Sequence, residues 1–422
     1  MISSRYPSPE ARGDQSILFS HLQYLGKRHE VSVVTPNRAP SPHVAATVAE
    51  LAQVKIVDVG RGTRALSAVG AMLRGQPAQV GWMMPSRTWR QAKAAARCAD
   101  VALIMTSRSI RSALPAATVL NHVDALSFNM ARRARGPEPL PIRLFARYEA
   151  WRMRAWELRL AGHLAAQVGT SIEVADMLPQ TPRAHVIPPS YPHAIHDDPP
   201  GHERDIDLIL TGDMSYPPNR EAANLLLERI LPRILSQRPQ TSVWVVGRSA
   251  TWITSKDVTT ASDVPDLLSF LRRAKVAIAP VSGGSQLKTL EAAANGAALV
   301  AKRWTADCYG LPAAAAEDPV DFAREVLRLL EDDAARQEQA DAARRVARTL
   351  TNESCGARLE AILLDAASQA RPSHDTALAG EQEVIRFDQV RLRSPRSMRS
   401  TAGPPLSSSQ PADRTSARAP DC

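Results

Sequence analysis

The chain has 422 residues, of which 44 % are hydrophobic and 23 % charged, and it carries a net charge of +9. That length exceeds one ordinary core and points to two domains of roughly 100–200 residues each, plus extensions. Its apolar runs fall well short of the roughly 20 residues of a membrane span, and the opening MISSRYPSPEARGD lacks the apolar stretch of a secretory signal, so the expected location is the cytoplasm, with peripheral contact at the inner membrane face left open.

In chain order, only Met1, Ile2 and Ser3 precede the first turn, so either the start codon is misplaced or the parallel sheet lacks most of its first strand. Short apolar runs at 31–35, 54–59, 101–106, 118–122 and 167–170 read as buried strands separated by helical patterns. This is the rhythm of a parallel sheet with crossover helices. Residues 191–204 are proline-rich, hold neither period and read as a linker between an N-terminal domain of 1–190 and a second domain of 205–370. The second half repeats the theme, with strands at 207–211, 242–246, 276–280 and 297–301 and helices at 219–236, 263–273, 285–294 and 319–350. Residues 371–422 are rich in Ser, Pro and Arg, with too little apolar area to offset chain ordering, and are expected to be disordered. The expected fold class is therefore α/β, with two Rossmann-like domains facing across a cleft.

Cys98, Cys308, Cys355 and Cys422 form no CxxC pair and have no histidine at zinc spacing, so free thiols and no metal are expected. The excess positive charge is concentrated: residues 131–160 hold eight arginines against three glutamates. Within that run Leu144, Tyr148, Trp151, Ala155 and Leu158 recur at three- and four-residue spacing. Two readings are open for residues 142–160. One is an interfacial helix docking on anionic lipid. In the other the stripe packs on the first domain while Arg147, Arg152 and Arg154 are solvated or pair with Glu149 and Glu157, and the presence of those glutamates favours it. Nucleic acid is not an expected partner, because no recognised binding signature accompanies the charge.

The chemistry-bearing stretch is VAIAPVSGGSQLKTLEAAANG, from Val276. A strand ends at Pro280, Gly283 and Gly284 form a turn, and Ser285 is placed to cap a helix with Lys288 and Glu291 in its first turns. Backbone amides at a glycine turn, a helix N-terminus and a lysine suit a diphosphate, and a carboxylate three residues on suits ribose hydroxyls. Spacing alone favours an ordinary turn followed by a surface i,i+3 pair.

Other segments join this one. The run Thr211–Gly212–Asp213–Met214–Ser215–Tyr216–Pro217–Pro218–Asn219 with Ala222 and Ala223, the stretch Val245–Val246–Gly247–Arg248, Val264–Pro265–Asp266, GSQLKTLEAAANGAALVA at 284–301, the opening Tyr6–Pro7–Ser8–Pro9 with Arg12–Gly13–Asp14, and Asp124–Ala125–Leu126–Ser127 come in order. Over residues 3–365 this set resembles the retaining glycosyltransferases of family 4, also called group 1, which have the two-domain GT-B architecture. The resemblance implies transfer of a sugar from a nucleoside-diphosphate donor to a glycan, lipid-linked or small-molecule acceptor. It implies no metal and no cofactor beyond the nucleotide-sugar. On it, Gly283, Gly284, Ser285, Gln286 and Lys288 hold the diphosphate and Glu291 the ribose. Gly13, Asp14, Gly212, Asn219 and Arg248 line the donor side. Asp124 and Lys288 act in catalysis, with His122 and Ser127 on the sugar or acceptor side.

Two departures bear on this. Gly283 stands where broader members carry a first glutamate, and MSYPPNR replaces a basic pair, leaving Arg220 and Arg248 as substitutes. A non-catalytic nucleotide or glycan binder and a sugar-nucleotide epimerase therefore stay open as alternatives. A structural role after a buried strand is the favoured reading of His122 over acid–base work, and packing that of Trp304 and Tyr309 over ligand contact.

Overall fold

The computed structural model describes residues 1–9, 13–136, 138–179, 183–196, 203–281 and 287–369. The expected disordered tail at 371–422 lies outside them. Two all-parallel sheets lie within one compact unit. The first is built from β1 (Ile2–Ser3), β2 (Ser32–Thr35), β3 (Gln53–Ile56), β4 (Val101–Met105), β5 (Ala117–Asn121), β6 (Ala166–Gly169) and β7 (Ala184–Val186), in the order β3-β2-β1-β4-β5-β6-β7. The second comprises β8 (Ile206–Thr211), β9 (Val243–Gly247), β10 (Thr259–Ser262), β11 (Ala274–Ala279), β12 (Ala298–Ala301) and β13 (Ala314–Ala315), ordered β10-β9-β8-β11-β12-β13. β1 is two residues long yet central, with Ile2 opposite Val34 on one side and Ile104 on the other. β8 is buried along its whole length, as a strand covered by helices on both faces must be.

Strands missing from the sequence reading are β7, β10 and β13, all short and at or next to a sheet edge, where half-exposure removes the apolar run that marks a strand. The helix expected at 319–350 is two helices, Pro319–Glu331 and Asp333–Thr349. Asp332 breaks it by ending the first and capping the second, its carboxylate accepting from Ala335 N at 2.9 Å. The helix expected at 219–236 begins at Pro217 and runs to Gln237 through a π-turn at Leu226–Ile230.

The last helix, Asn352–Ser368, returns to the first half and packs on the opening helix, Gly13–Leu25. Gly356 permits this approach, since a Cβ there would lie 2.2 Å from Tyr24 Cγ. Tyr24 OH donates to Glu360 at 3.0 Å, and Arg28 pairs with Glu353. Beside this helix the chain crosses between halves twice, and the crossings touch: Tyr191 N donates to Leu350 O at 2.8 Å, and Tyr191 bridges to Thr351 in parallel.

The arginine-rich run forms one helix, Leu140–Ala161, but not with the packing that the glutamates favoured. Its buried residues are Ala146, Glu149, Met153, Trp156, Glu157 and Leu160, whereas Leu144, Trp151 and Leu158 are exposed. The glutamates do not serve as surface partners of Arg147, Arg152 and Arg154; they cap other helices from below. Glu149 accepts from Ala78 N at 2.8 Å and Gln79 N at 3.1 Å, the first two residues of helix Ala78–Met83, which has no side-chain cap of its own. Glu157 accepts from Ser127 Oγ at 2.6 Å and Ser127 N at 3.4 Å at the start of helix Leu126–Arg135. One buried and one part-buried amide lose their acceptor in Glu149→Ala, so we expect that variant to lose about 2–4 kcal/mol of stability by urea denaturation, with Glu149→Gln losing less.

Candidate functional site

Open parallel sheets present ligands at the carboxyl ends of their strands where the strand order reverses. In the first sheet that point lies between β1 and β4, and in the second between β8 and β11. Of the described residues singled out from the sequence, Asp14 and Asp124 lie toward the first and Asn219, Lys288 and Glu291 toward the second.

At the first, Arg5 follows β1, Asp14 opens helix Gly13–Leu25, and Arg108 follows β4. Arg5 Nη1 donates to both Asp14 oxygens at 2.8 and 2.9 Å, and Arg108 Nη2 reaches one of them at 3.3 Å. Asp124 follows β5. Burial raises its pKa to about 6, helped by nearby Asp14 and opposed by Arg108 and Arg132. An open pocket of about 290 Å³ beside this cluster is lined by Arg5, Tyr6, Gln15, Asn37, Arg38 and Pro40.

Backbone strain presents these groups. Thr106 and Val123 have φ of +69° and +61°, a region that β-branched residues rarely occupy. Thr106 precedes the Ser107–Ser109 turn that carries Arg108, and Val123 precedes Asp124. The Val123 turn is pinned by Asn121 Oδ1 accepting from Val123 N at 3.0 Å and by Thr170 Oγ1 donating to Val123 O at 2.6 Å.

His122 and Ser127 belong to this support. His122 is fully buried, with Nε2 2.8 Å from Gln167 Oε1, and burial lowers its pKa to about 4, which leaves it neutral near pH 7. Ser127 is buried, and its hydroxyl is given to Glu157. Both hold the Asp124 turn from inside the first half.

At the second switch point, Gly212 follows β8 with φ +150°, and Asn219 packs against it so closely that a Cβ on Gly212 would meet Asn219 Nδ2 at 2.8 Å. Asn219 Nδ2 donates to Asp213 O at 3.0 Å, and its Oδ1 accepts from Lys288 Nζ at 3.1 Å. The TGDMSYPPN segment thus aims a lysine from the helix after β11, Leu287–Ala294. Lys288 and Glu291 keep some accessible surface while protein mass surrounds them, the condition of groups inside a cleft. Burial lowers Lys288 to about 8 against the pull of Glu291, and raises Glu291 against the pull of Lys288. Arg248 sits nearer the rim, 3.5 Å from Asp213. Gly283, Gly284, Ser285 and Gln286 lie outside the described residues.

Two aromatic residues of the second half reach toward the first. Trp304, in helix Arg303–Asp307, stacks on Phe128 of helix Leu126–Arg135 with centroids 6.2 Å apart and planes 7° from parallel. The buried Tyr309 hydroxyl has no hydrogen-bond partner among the described residues. Its pKa is raised well above the ordinary value by burial first, then by Cys308, Glu291 and Asp124, so it feels carboxylates from both halves. Among the described residues there is no cluster of three or more His, Cys, Asp or Glu suited to a metal.

Sequence reasoning missed Arg5 and Arg108, because no periodicity marks them and their roles follow from where β1 and β4 end. It named Asp14 without the two guanidinium groups that hold it.

Residues 205–332 match the family model of the glycosyl transferases group 1. No curated protein matches the sequence. Among solved structures, the chain is similar to WaaG, a glycosyltransferase involved in lipopolysaccharide biosynthesis, at 16 % identity and a TM-score of 0.59 over 86 % of this chain and 99 % of that one. Anabaena Alr3699/HepE in complex with UDP-glucose is similar at 12 % identity and a TM-score of 0.59, over 86 % and 98 %. Sucrose-phosphate synthase from Thermosynechococcus elongatus is similar at 14 % identity and a TM-score of 0.60, over 87 % and 99 %. The shared fold is the α/β GT-B architecture of two parallel-sheet halves.

Proposed function

We propose, taking the match of residues 205–332 to the glycosyl transferases group 1 as premise, that the protein transfers a sugar from a nucleoside diphosphate to a hydroxyl of a glycan, lipid-linked or small-molecule acceptor. The donor sits on the 205–370 side and the acceptor enters from the 1–190 side. The observation that carries this reading is the Asn219–Lys288 contact beside Glu291, which puts an aimed cation and a carboxylate at the mouth of the second switch point.

In the proposed step the bond from the anomeric carbon to the diphosphate breaks, its electron pair leaving with the phosphate oxygen, and a bond to the acceptor oxygen forms on the same face with retention at that carbon, the acceptor's hydroxyl proton passing to the departing phosphate oxygen. Lys288 and the start of helix Leu287–Ala294 meet the charge that grows on the diphosphate, so neither a metal nor a further cofactor is invoked. Asp124, ionised above about pH 6, orients a hydroxyl of the transferred sugar or the acceptor. The pocket beside Arg5 and Asn37 receives the rest of the acceptor. An epimerase would use a histidine for proton work, and His122 is instead buried, neutral and bonded to Gln167.

A UDP-sugar is the first donor to try, since Alr3699/HepE was solved with UDP-glucose. Calorimetry with UDP and GDP, followed by donor turnover, tests the reading; nucleotide binding without turnover across acceptors would favour a non-catalytic binder. Glu291→Ala is expected to raise the donor KM roughly 10–100-fold with a smaller change in kcat, the effect of removing a charged partner of two ribose hydroxyls. An unchanged KM would remove Glu291 from the site.

A further inference from the structure

Helix Leu140–Ala161 is inverted relative to an ordinary surface helix: its carboxylates Glu149 and Glu157 point inward, and long apolar side chains point outward. With about 100° per residue, Leu140, Leu144, Trp151 and Leu158 fall within about 40° of one another, opposite the buried Glu149, Met153 and Leu160. Leu144 is 58 % exposed, Phe145 50 % and Leu158 49 %. Arg143, Arg147 and Arg154 flank the stripe on one side and Arg152 and Arg159 on the other.

A second helix carries a similar face nearby. In Arg61–Leu73 the outward residues Leu66, Val69 and Leu73 share one side, with Leu66 76 % and Leu73 84 % exposed. The guanidinium of Arg152 lies against Gly75, two residues beyond Leu73, which joins this helix end to the Trp151 region. Helix Ala78–Met83 ties the two further, since Gly81 packs on Ser67 and Glu149 caps its start.

We infer that this face of the first half docks on an anionic lipid bilayer, with the leucines and Trp151 entering the headgroup boundary and the exposed Arg143, Arg147 and Arg159 meeting lipid phosphates. Charge complementarity selects this occupant. Outward acids are scarce between residues 131 and 160, where Glu138 pairs with Arg133 and the other two glutamates are buried. An apolar stripe between two rows of arginine matches a surface that is negative outside and apolar beneath. None of the described helices is long and apolar enough to cross a membrane, so this one lies on it. The inference goes beyond sugar transfer and stands without it.

Sedimentation of the full chain with vesicles tests it, comparing phosphatidylcholine alone with phosphatidylcholine containing phosphatidylglycerol. Binding is expected to the anionic vesicles only and to weaken with added NaCl. Arg143→Gln with Arg147→Gln should lower the partition coefficient roughly 30-fold, the weight of two arginines at such a surface. Leu144→Ser with Leu158→Ser should lower it at least roughly tenfold. These positions are exposed, so unchanged circular dichroism and Tm would show that the fold is intact. Failure to bind anionic vesicles, or binding that neither double variant alters, would overturn the inference. So would loss of self-association in place of lipid binding, which would give the face to a second copy of the chain.

Discussion

Lys288→Ala is expected to lower kcat by about two to three orders of magnitude, the usual result of removing one aimed group from a developing oxyanion. The ammonium is held at 3.1 Å by Asn219, so the loss is of a preset charge, not of a mobile one. Steady-state kinetics with a UDP-sugar would check it, and a loss confined to KM would demote Lys288 to ground-state binding. Its pKa, lowered to about 8, adds a second signature. As pH rises through about 8 the free protein loses the proton on Lys288, so kcat/KM should fall there. Lys288→Arg should move that limb to higher pH, whatever it does to the rate.

Asp124→Asn should move activity and stability in opposite directions. A carboxyl whose pKa is raised on folding holds its proton more tightly folded than unfolded, so its ionisation begins to destabilise the protein above about 3.8 and does so in full above about 6. That gap corresponds to about 3 kcal/mol. The neutral amide escapes the burden, so at pH 7.5 the variant is expected to be more stable by about 1–3 kcal/mol, while kcat/KM falls by a factor of about 100 or more. Parallel denaturation and rate measurements decide the matter. A variant that loses stability would mean that Arg108 and Arg132 already outweigh the burial of Asp124.

Much of the architecture was legible because buried parallel strands leave apolar runs: β8, β9, β11 and β12 fall within a few residues of their expected places. Edge strands left no such trace. In the site, the TGDMSYPPN and LKTLE segments were marked by likeness to a family and not by spacing, and the structure brings Asn219 of the one to Lys288 of the other. Arg5, Arg108 and the strained Thr106 and Val123 could not, since positive φ at a β-branched residue is imposed by surrounding structure and contradicts local preference. The basic helix was misread for a related reason. Periodicity finds a stripe but not which side of the helix meets the core, and here the two glutamates expected at the surface are buried while the stripe is exposed.

The paired crossings at Tyr191 and Leu350–Thr351 set how the halves can move. One connecting strand would let the halves swivel freely. Two laid side by side and hydrogen-bonded act as a strip that bends across its width and resists torsion. Any change in the angle between the halves must therefore turn about this seam of Tyr191 and Leu350–Thr351.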